Sequence, residues 1–308
     1  MRKRRVALVA SICLAAVLVL TAYLVRDSEP YYQGRSLSEW GDRYWENVNG
    51  TDAGSLLGAK EARDAIRAIG PKALPILLRR FRYEVSAINN LLVQGSRTFP
   101  LFDLPAAKIS SFLGKGPDPV PIFRALHEEG SLAIPELARL LAGTTNQFNV
   151  HRISYALAAT GPKAVPSLIA AMSRPNPVYR REIVLFFATE DIFDFGTNIA
   201  EAAPALAKCS AERDQVAISA LQALSRIRTR PEIVLPALTN ALQNHSWKYS
   251  WLYRYHAAAS LGKLGDSAQT AAPALVPLLT DPSGDVREAV TNALRQLAPG
   301  LLTNAPAQ

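Results

Sequence analysis

From Asp285 onward the apolar residues Val286, Ala289, Val290, Ala293, Leu294 and Leu297 follow one another at steps of 3, 1, 3, 1 and 3. That is one stripe of a 3.6-residue helix, with Arg287, Glu288, Asn292, Arg295 and Gln296 on the opposite side. Asp285 and Glu288, three apart, have the form of a capping box, and Asp281-Pro282-Ser283-Gly284 before them is turn chemistry. Ala271, Ala274, Leu275, Leu278 and Leu279 predict a preceding helix over 270–280, with Pro273 in its first turn where the missing N–H is harmless. A third helix over 255–264 stops at Gly265-Asp266. None of the three exceeds about four turns. Each therefore needs neighbours to bury its stripe.

The same pattern recurs upstream. Ala62, Ala65, Ile66 and Ile69 make one stripe, Gly70-Pro71 turns the chain, and Leu74, Leu77, Leu78 and Phe81 make the next. Further pairs are expected at 120–129 with 131–142, 149–160 with 162–173, 177–190 with 198–209, 212–228 with 231–243, and 253–264 with 270–280. Prolines near the starts of the second helices (Pro75, Pro135, Pro166, Pro204, Pro236, Pro273) are separated by 60, 31, 38, 32 and 37 residues, one double step among units in the thirties. Gly70-Pro71-Lys72-Ala73-Leu74-Pro75 also parallels Gly161-Pro162-Lys163-Ala164-Val165-Pro166. The double step falls at about 83–119, where 83–93 has helical spacing and 94–105 does not; this stretch is read as an insertion or a degenerate repeat. Ahead of the repeats, Ser36 and Glu39 form a Ser-x-x-Glu box opening a helix with Leu37, Trp40 and Tyr44 on one face and Trp45 beside it, placed to cover the first repeat. Residues 49–58 read as a Gly/Ser/Asp-rich loop, with the repeats running from 59 to 300 and a disordered tail from 301 to 308.

The stretch Leu261-Gly262-Lys263-Leu264-Gly265-Asp266, then Ala272-Pro273-Ala274-Leu275-Val276-Pro277-Leu278-Leu279, Asp281-Pro282 and Asp285-Val286-Arg287-Glu288-Ala289, resembles a HEAT repeat of the short kind found in bilin-lyase-like proteins. Tyr32-Gln33-Gly34-Arg35-Ser36-Leu37-Ser38-Glu39-Trp40 resembles the opening of small membrane-anchored bacterial HEAT-repeat proteins. These resemblances imply an all-α fold, a right-handed α-solenoid of helical hairpins (an armadillo-type superhelix). They imply no chemistry, because the matching residues are packing and capping positions.

Charge and composition add a topology. Residues 1–5 are basic, and residues 6–25, from Val6 to Val25, form a 20-residue uncharged run. At 1.5 Å per residue that run spans a hydrocarbon core of about 30 Å, so it reads as a transmembrane anchor, with a cleaved signal peptide as the alternative. Against cleavage, Leu20-Thr21-Ala22 is a poor small-x-small site. The basic cluster before the run and Asp27 and Glu29 after it keep the N-terminus cytoplasmic and export the rest, to the periplasm in a Gram-negative cell. Residues 26–35 then serve as a linker. The formal charge of +8 is mostly this tip: Arg2, Lys3, Arg4, Arg5 and Arg26 supply five of the 34 basic residues, leaving 29 against 26 acidic ones. A body so close to neutral lacks the basic surface of a nucleic-acid protein. Of two cysteines, Cys13 lies in the apolar run and Cys209 stands alone in the body, which excludes an intramolecular disulfide there.

No phosphate-cradling glycine loop, zinc-protease helix or nucleophile elbow is present. Some HEAT-repeat hydroxylases use several His-Glu pairs around a diiron centre; this chain has His127-Glu128 alone, while His151, His245 and His256 are followed by Arg, Ser and Ala. Glu190, Asp191 and Asp194 read as a helix end and its loop, and Arg79, Arg80 and Arg82 as a solvated helix end. No cofactor or metal is expected. The recognition candidate is 245–256, with five aromatics in nine residues and interleaved cations: Trp247, Lys248, Tyr249, Trp251, Tyr253 and Arg254. The competing reading packs Trp251 and Tyr255, one turn apart, inward. The function expected is a non-enzymatic scaffold whose surface binds a protein or cell-envelope component. A nucleic-acid-binding HEAT protein, or an enzyme with a site assembled from several repeats, stand as alternatives.

Overall fold

The computed structural model describes residues 29–85, 118–144, 146–174, 176–189, 195–212, 215–244 and 250–302. It divides into two compact units, Met1–Ala133 and Ile134–Gln308. The anchor expected at 6–25 and the core of the insertion expected at 83–119 lie outside the described residues. Among the described residues no helix is long and apolar enough to cross a membrane.

Unit 1 opens on a two-residue antiparallel pair, β1 (Tyr31–Tyr32) and β2 (Arg35–Ser36), followed by α1 (Leu37–Asn47). The capping box forms as expected: Ser36 Oγ accepts from Glu39 N, and the Glu39 carboxylate accepts from Ser36 N at 2.7 Å. Those bonds hold the Glu39 carboxyl below its ordinary range. Leu37, Trp40 and Tyr44 are buried and Trp45 is exposed, so the predicted stripe faces in. α1 packs on α2 (Ala53–Ile69) and α4 (Pro119–Leu126), and α3 (Leu74–Val85) packs against α4, with Phe81 stacked on Phe123 at 6.2 Å between centroids. The loop expected at 49–58 ends early. Asp52 accepts from Ser55 N and from Ser55 Oγ, which starts the helix at Ala53 despite two glycines in its first turns.

Unit 2 is built in two layers. One holds α6 (Gln147–Ala159), α8 (Pro177–Ala188), α10 (Gln215–Leu224), α12 (Ser250–Leu264) and α13 (Gly284–Leu297), each packed on the next. The other holds α5 (Ile134–Gly143), α7 (Val165–Met172), α9 (Ala203–Ser210), α11 (Pro231–Leu242) and the 3-10 segment Gly265–Thr280. Apolar stripes of both layers meet in the core, as with Leu206, Ala217, Leu221, Leu238, Leu261, Leu275 and Val290. These stacked hairpins are the tiers the periodicity predicts. Pro75, Pro135, Pro166 and Pro204 each take the second helical position, whereas Pro236 lies inside a helix that Pro231 begins. Over 270–280 the helix is 3-10 rather than α. Pro273 and Pro277 remove the N–H donors that i to i−4 bonding requires, yet Ala271, Leu275, Leu278 and Leu279 remain buried. The expected Asp285 capping box is absent: Ser283 is the N-cap residue, and Ser283 N donates to Asp281 Oδ1 instead. The chain end expected to be free at 301 still makes a 3-10 turn over Pro299–Leu301.

Within tiers the chain turns the same way again and again. Gly70, Gly161, Gly196 and Gly265 have φ of 58°, 80°, 52° and 56°, and each leads into a 3-10 turn. At the turn that follows α4 the same job falls to His127, at φ 52° and ψ −123°, a region that favours glycine. Holding a side chain there costs on the order of 1–3 kcal/mol, against roughly 0.5–1 for the added freedom of an unfolded glycine. His127→Gly is therefore expected to stabilise the protein by about 1 kcal/mol and raise its melting temperature by about 2–4 °C. A scan showing no change, or a fall, would mean the turn is unstrained.

Arginines join the tiers in unit 2. Arg226 donates to Phe187 O and Thr189 O, both at 2.8 Å, and Arg174 donates to Leu141 O and Thr144 O, in each case at the end of a helix whose last carbonyls have no partner of their own. A second set starts in the early turns of the first layer. Arg180 pairs with Glu212, and Arg254 pairs with Asp281 through two bonds of 2.7 and 2.9 Å. Both carboxylates lie on the loop that leads into the following tier.

Candidate functional site

α12 has two working faces. Its inward stripe is Tyr253, Ala257, Leu261 and Leu264, with Arg254 and Ala258 beside it. Trp251 and Tyr255 fall two positions off that stripe, one turn apart, and so point along the helix surface toward α13. Between the two helices lies a groove of 540 Å³, a volume in the range of small-molecule sites. Ala259, Gly262, Ala289 and Ala293 line its floor. Their small size sets the depth: a Cβ on Gly262 would stand 3.2 Å from Ala293 Cα, so a larger residue there would push α12 and α13 slightly apart. Trp251, Tyr255 and Lys263 form one wall; Asp285, Glu288, Asn292 and Gln296, spaced for one face of α13, form the other.

This geometry divides the predicted recognition residues. Trp251 is 38% exposed and lines the groove. Tyr253 and Arg254, each 4% exposed, present nothing to a partner, which corrects their place in the expected surface. Arg254 is drawn inward because the Asp281 carboxylate, wholly buried, offers it a two-bond match, while Asn244 O and Ser250 Oγ take its remaining donor nitrogen. Trp247, Lys248 and Tyr249 lie outside the described residues. The rival reading, Trp251 and Tyr255 packed inward, is also revised: Tyr253 fills the core and Tyr255 is half-buried in the groove wall. The stripe of Ala257, Leu261 and Leu264, extended back by one turn, reaches 253 rather than 251, and that signal was present in the sequence.

Next to Tyr255, His256 sits with its ring edge-on to the Tyr255 ring and its Nδ1 3.4 Å from Gln222 Nε2. Burial, with Lys263 adding to it, lowers the His256 pKa and keeps the ring neutral at physiological pH. Further along the layer, His151 Nδ1 meets Glu182 at 2.8 Å across α6 and α8, against the rings of Tyr155 and Phe186. His127 occupies the turn described above; His245, Glu190, Asp191 and Asp194 lie outside the described residues. Arg79 and Arg80 are half-buried rather than solvated. Cys209 is buried and takes part in no disulfide. No group of metal-ligating side chains occurs among the described residues.

The family model for HEAT repeats matches residues 202–295, the part of the chain that runs from α9 into α13 and holds every groove residue except Gln296. Over that span the sequence has the pattern of HEAT-like repeats, and unit 2 is all-α, built of stacked hairpins. Among solved structures, the crystal structure of an engineered protein from the Northeast Structural Genomics Consortium aligns with 85% of this chain and 97% of its own, at 18% identity and a TM-score of 0.35. No curated protein matches.

Proposed function

We propose that this protein is a non-enzymatic, membrane-anchored scaffold, its short HEAT-like repeats exported and its partner, a protein or a cell-envelope component, held in the α12–α13 groove. The observation that carries this is Trp251. A tryptophan 38% exposed on the wall of a groove, beside carboxylates that pair with no described residue, is the kind of surface that marks a binding site. HEAT repeats are interaction surfaces in general, which supports a binding role for a groove between two of their stacked helices. The basic tip at 2–5 and the uncharged run at 6–25 support the anchor and the outward orientation. Full-length protein, crosslinked in its own membranes and purified, is expected to bring down a defined partner that Trp251→Ala loses at least tenfold with unchanged helical signal. The same partner recovered with both forms would rule the groove out.

A further inference from the structure

The α12–α13 groove has the chemistry of a polysaccharide site. We infer that it binds a neutral, β-linked oligosaccharide, the ligand class that its walls fit best; this rests on the groove being the binding surface. Trp251 and Tyr255 lie one turn apart on the same wall, with Leu252 beside them and the small residues Ala259, Gly262, Ala289 and Ala293 between the two helices. Such rings take the C–H faces of sugars whose hydroxyls are all equatorial, because the apolar ring face meets the apolar sugar face and the sugar's hydroxyls stay at the rim. The opposite wall supplies what those hydroxyls need. Asp285, Glu288, Asn292 and Gln296 are all planar carboxylates or amides, three or four residues apart along one face of α13. Carboxylates accept, amides both donate and accept, and no branched aliphatic chain interrupts the row.

The row runs over twelve residues, Asp285 to Gln296, so its ends lie roughly 16 Å apart along the helix at 1.5 Å per step. It is therefore a track for several sugar rings rather than a socket for one. The side chains of Asp285, Glu288 and Gln296 make no hydrogen bond or ion pair with any described residue, so they are available to a ligand.

Charge decides against the rival ligands. Two carboxylates repel a polyanion such as nucleic acid or an acidic glycan. A basic peptide would find only one net negative charge, since Lys263 stands on the other wall. At a groove open to solvent, each ion pair contributes about 0–1 kcal/mol, too little to select a cationic segment. Hydroxyls, by contrast, need no net charge and find acceptors and donors along the α13 wall.

The test uses the full-length protein in a detergent without a sugar headgroup, titrated calorimetrically with cellohexaose and with N-acetylchitohexaose. The expected result is binding of at least one hexamer with Kd near or below about 1 mM. Trp251→Ala should weaken it at least tenfold, while Trp45→Ala, which removes an exposed tryptophan far from the groove in sequence, leaves it unchanged. Glu288→Gln, which keeps an acceptor, should change it less than threefold. The inference falls if neither hexamer binds, if Trp251→Ala binds as well as wild type, or if hexalysine binds in a Trp251-dependent way. A Trp251-dependent protein partner recovered from membranes, with no sugar binding, ends this inference and leaves the scaffold reading standing.

Discussion

Arg254→Ala is expected to lower the stability of the helical body by about 3–5 kcal/mol, the cost of removing one member of a buried ion pair. The Arg254 side chain is 5% exposed and that of Asp281 wholly buried, and their two bonds are joined by Arg254 Nη1 to Asn244 O and Ser283 N to Asp281 Oδ1. Without the guanidinium the carboxylate stays in the interior with its charge uncompensated by the cation it now meets. The pair itself contributes less than that figure suggests, since its desolvation offsets most of its attraction. Arg254→Met with Asp281→Leu should therefore recover most of the loss. Urea unfolding followed by circular dichroism measures both. A loss below about 1 kcal/mol for the single substitution would show that water reaches the pair. The groove should suffer too, because Arg254 lies between Trp251 and Tyr255 on α12 and fixes the first turn that carries both rings.

Trp40→Ala is the second large effect, about 3–5 kcal/mol for a large aromatic removed from a packed interior. Trp40 is 2% exposed, donates Nε1–H to Tyr32 O at 2.9 Å, and has the Arg35 guanidinium 5.0 Å over its ring. It is the centre of the cap that α1 places on α2 and α4. In repeat arrays each element depends on its neighbours, so the damage should be local. Hydrogen exchange should show lost protection across α1 and α2 with the amides of α12 and α13 unchanged. A uniform loss over the whole body would mean that stability is not stored tier by tier.

Much of this was readable from the chain because the forces are local in sequence. Apolar residues at steps of three and four specify a stripe, and short stripes specify neighbours, so the hairpins of unit 2 follow from positions such as Val286, Val290 and Leu294. Ser36 and Glu39 cap α1 through bonds three residues long, and Gly265 stops α12 through its own φ. What was missed depends on residues that meet only after folding. Arg254 reads as a surface cation until its partner, 27 residues onward, is brought beneath it. Asp281 rather than Asp285 organises the turn into α13 for the same reason. The groove needs α12 and α13 packed at the distance that Gly262 and Ala293 allow, so the sequence could nominate Trp251 but not its carboxylate-bearing wall. At 270–280 the stripe was right and the helix type was not, since periodicity reports which side is buried better than which hydrogen bonds the two prolines leave.

The most direct test of the account is a photoactivatable side chain placed at position 251 of the full-length protein and irradiated in intact membranes. The account predicts an adduct of defined mass from position 251 and none from position 45, where another exposed tryptophan stands outside the groove. No adduct at 251, or the same adducts from both positions, would contradict it.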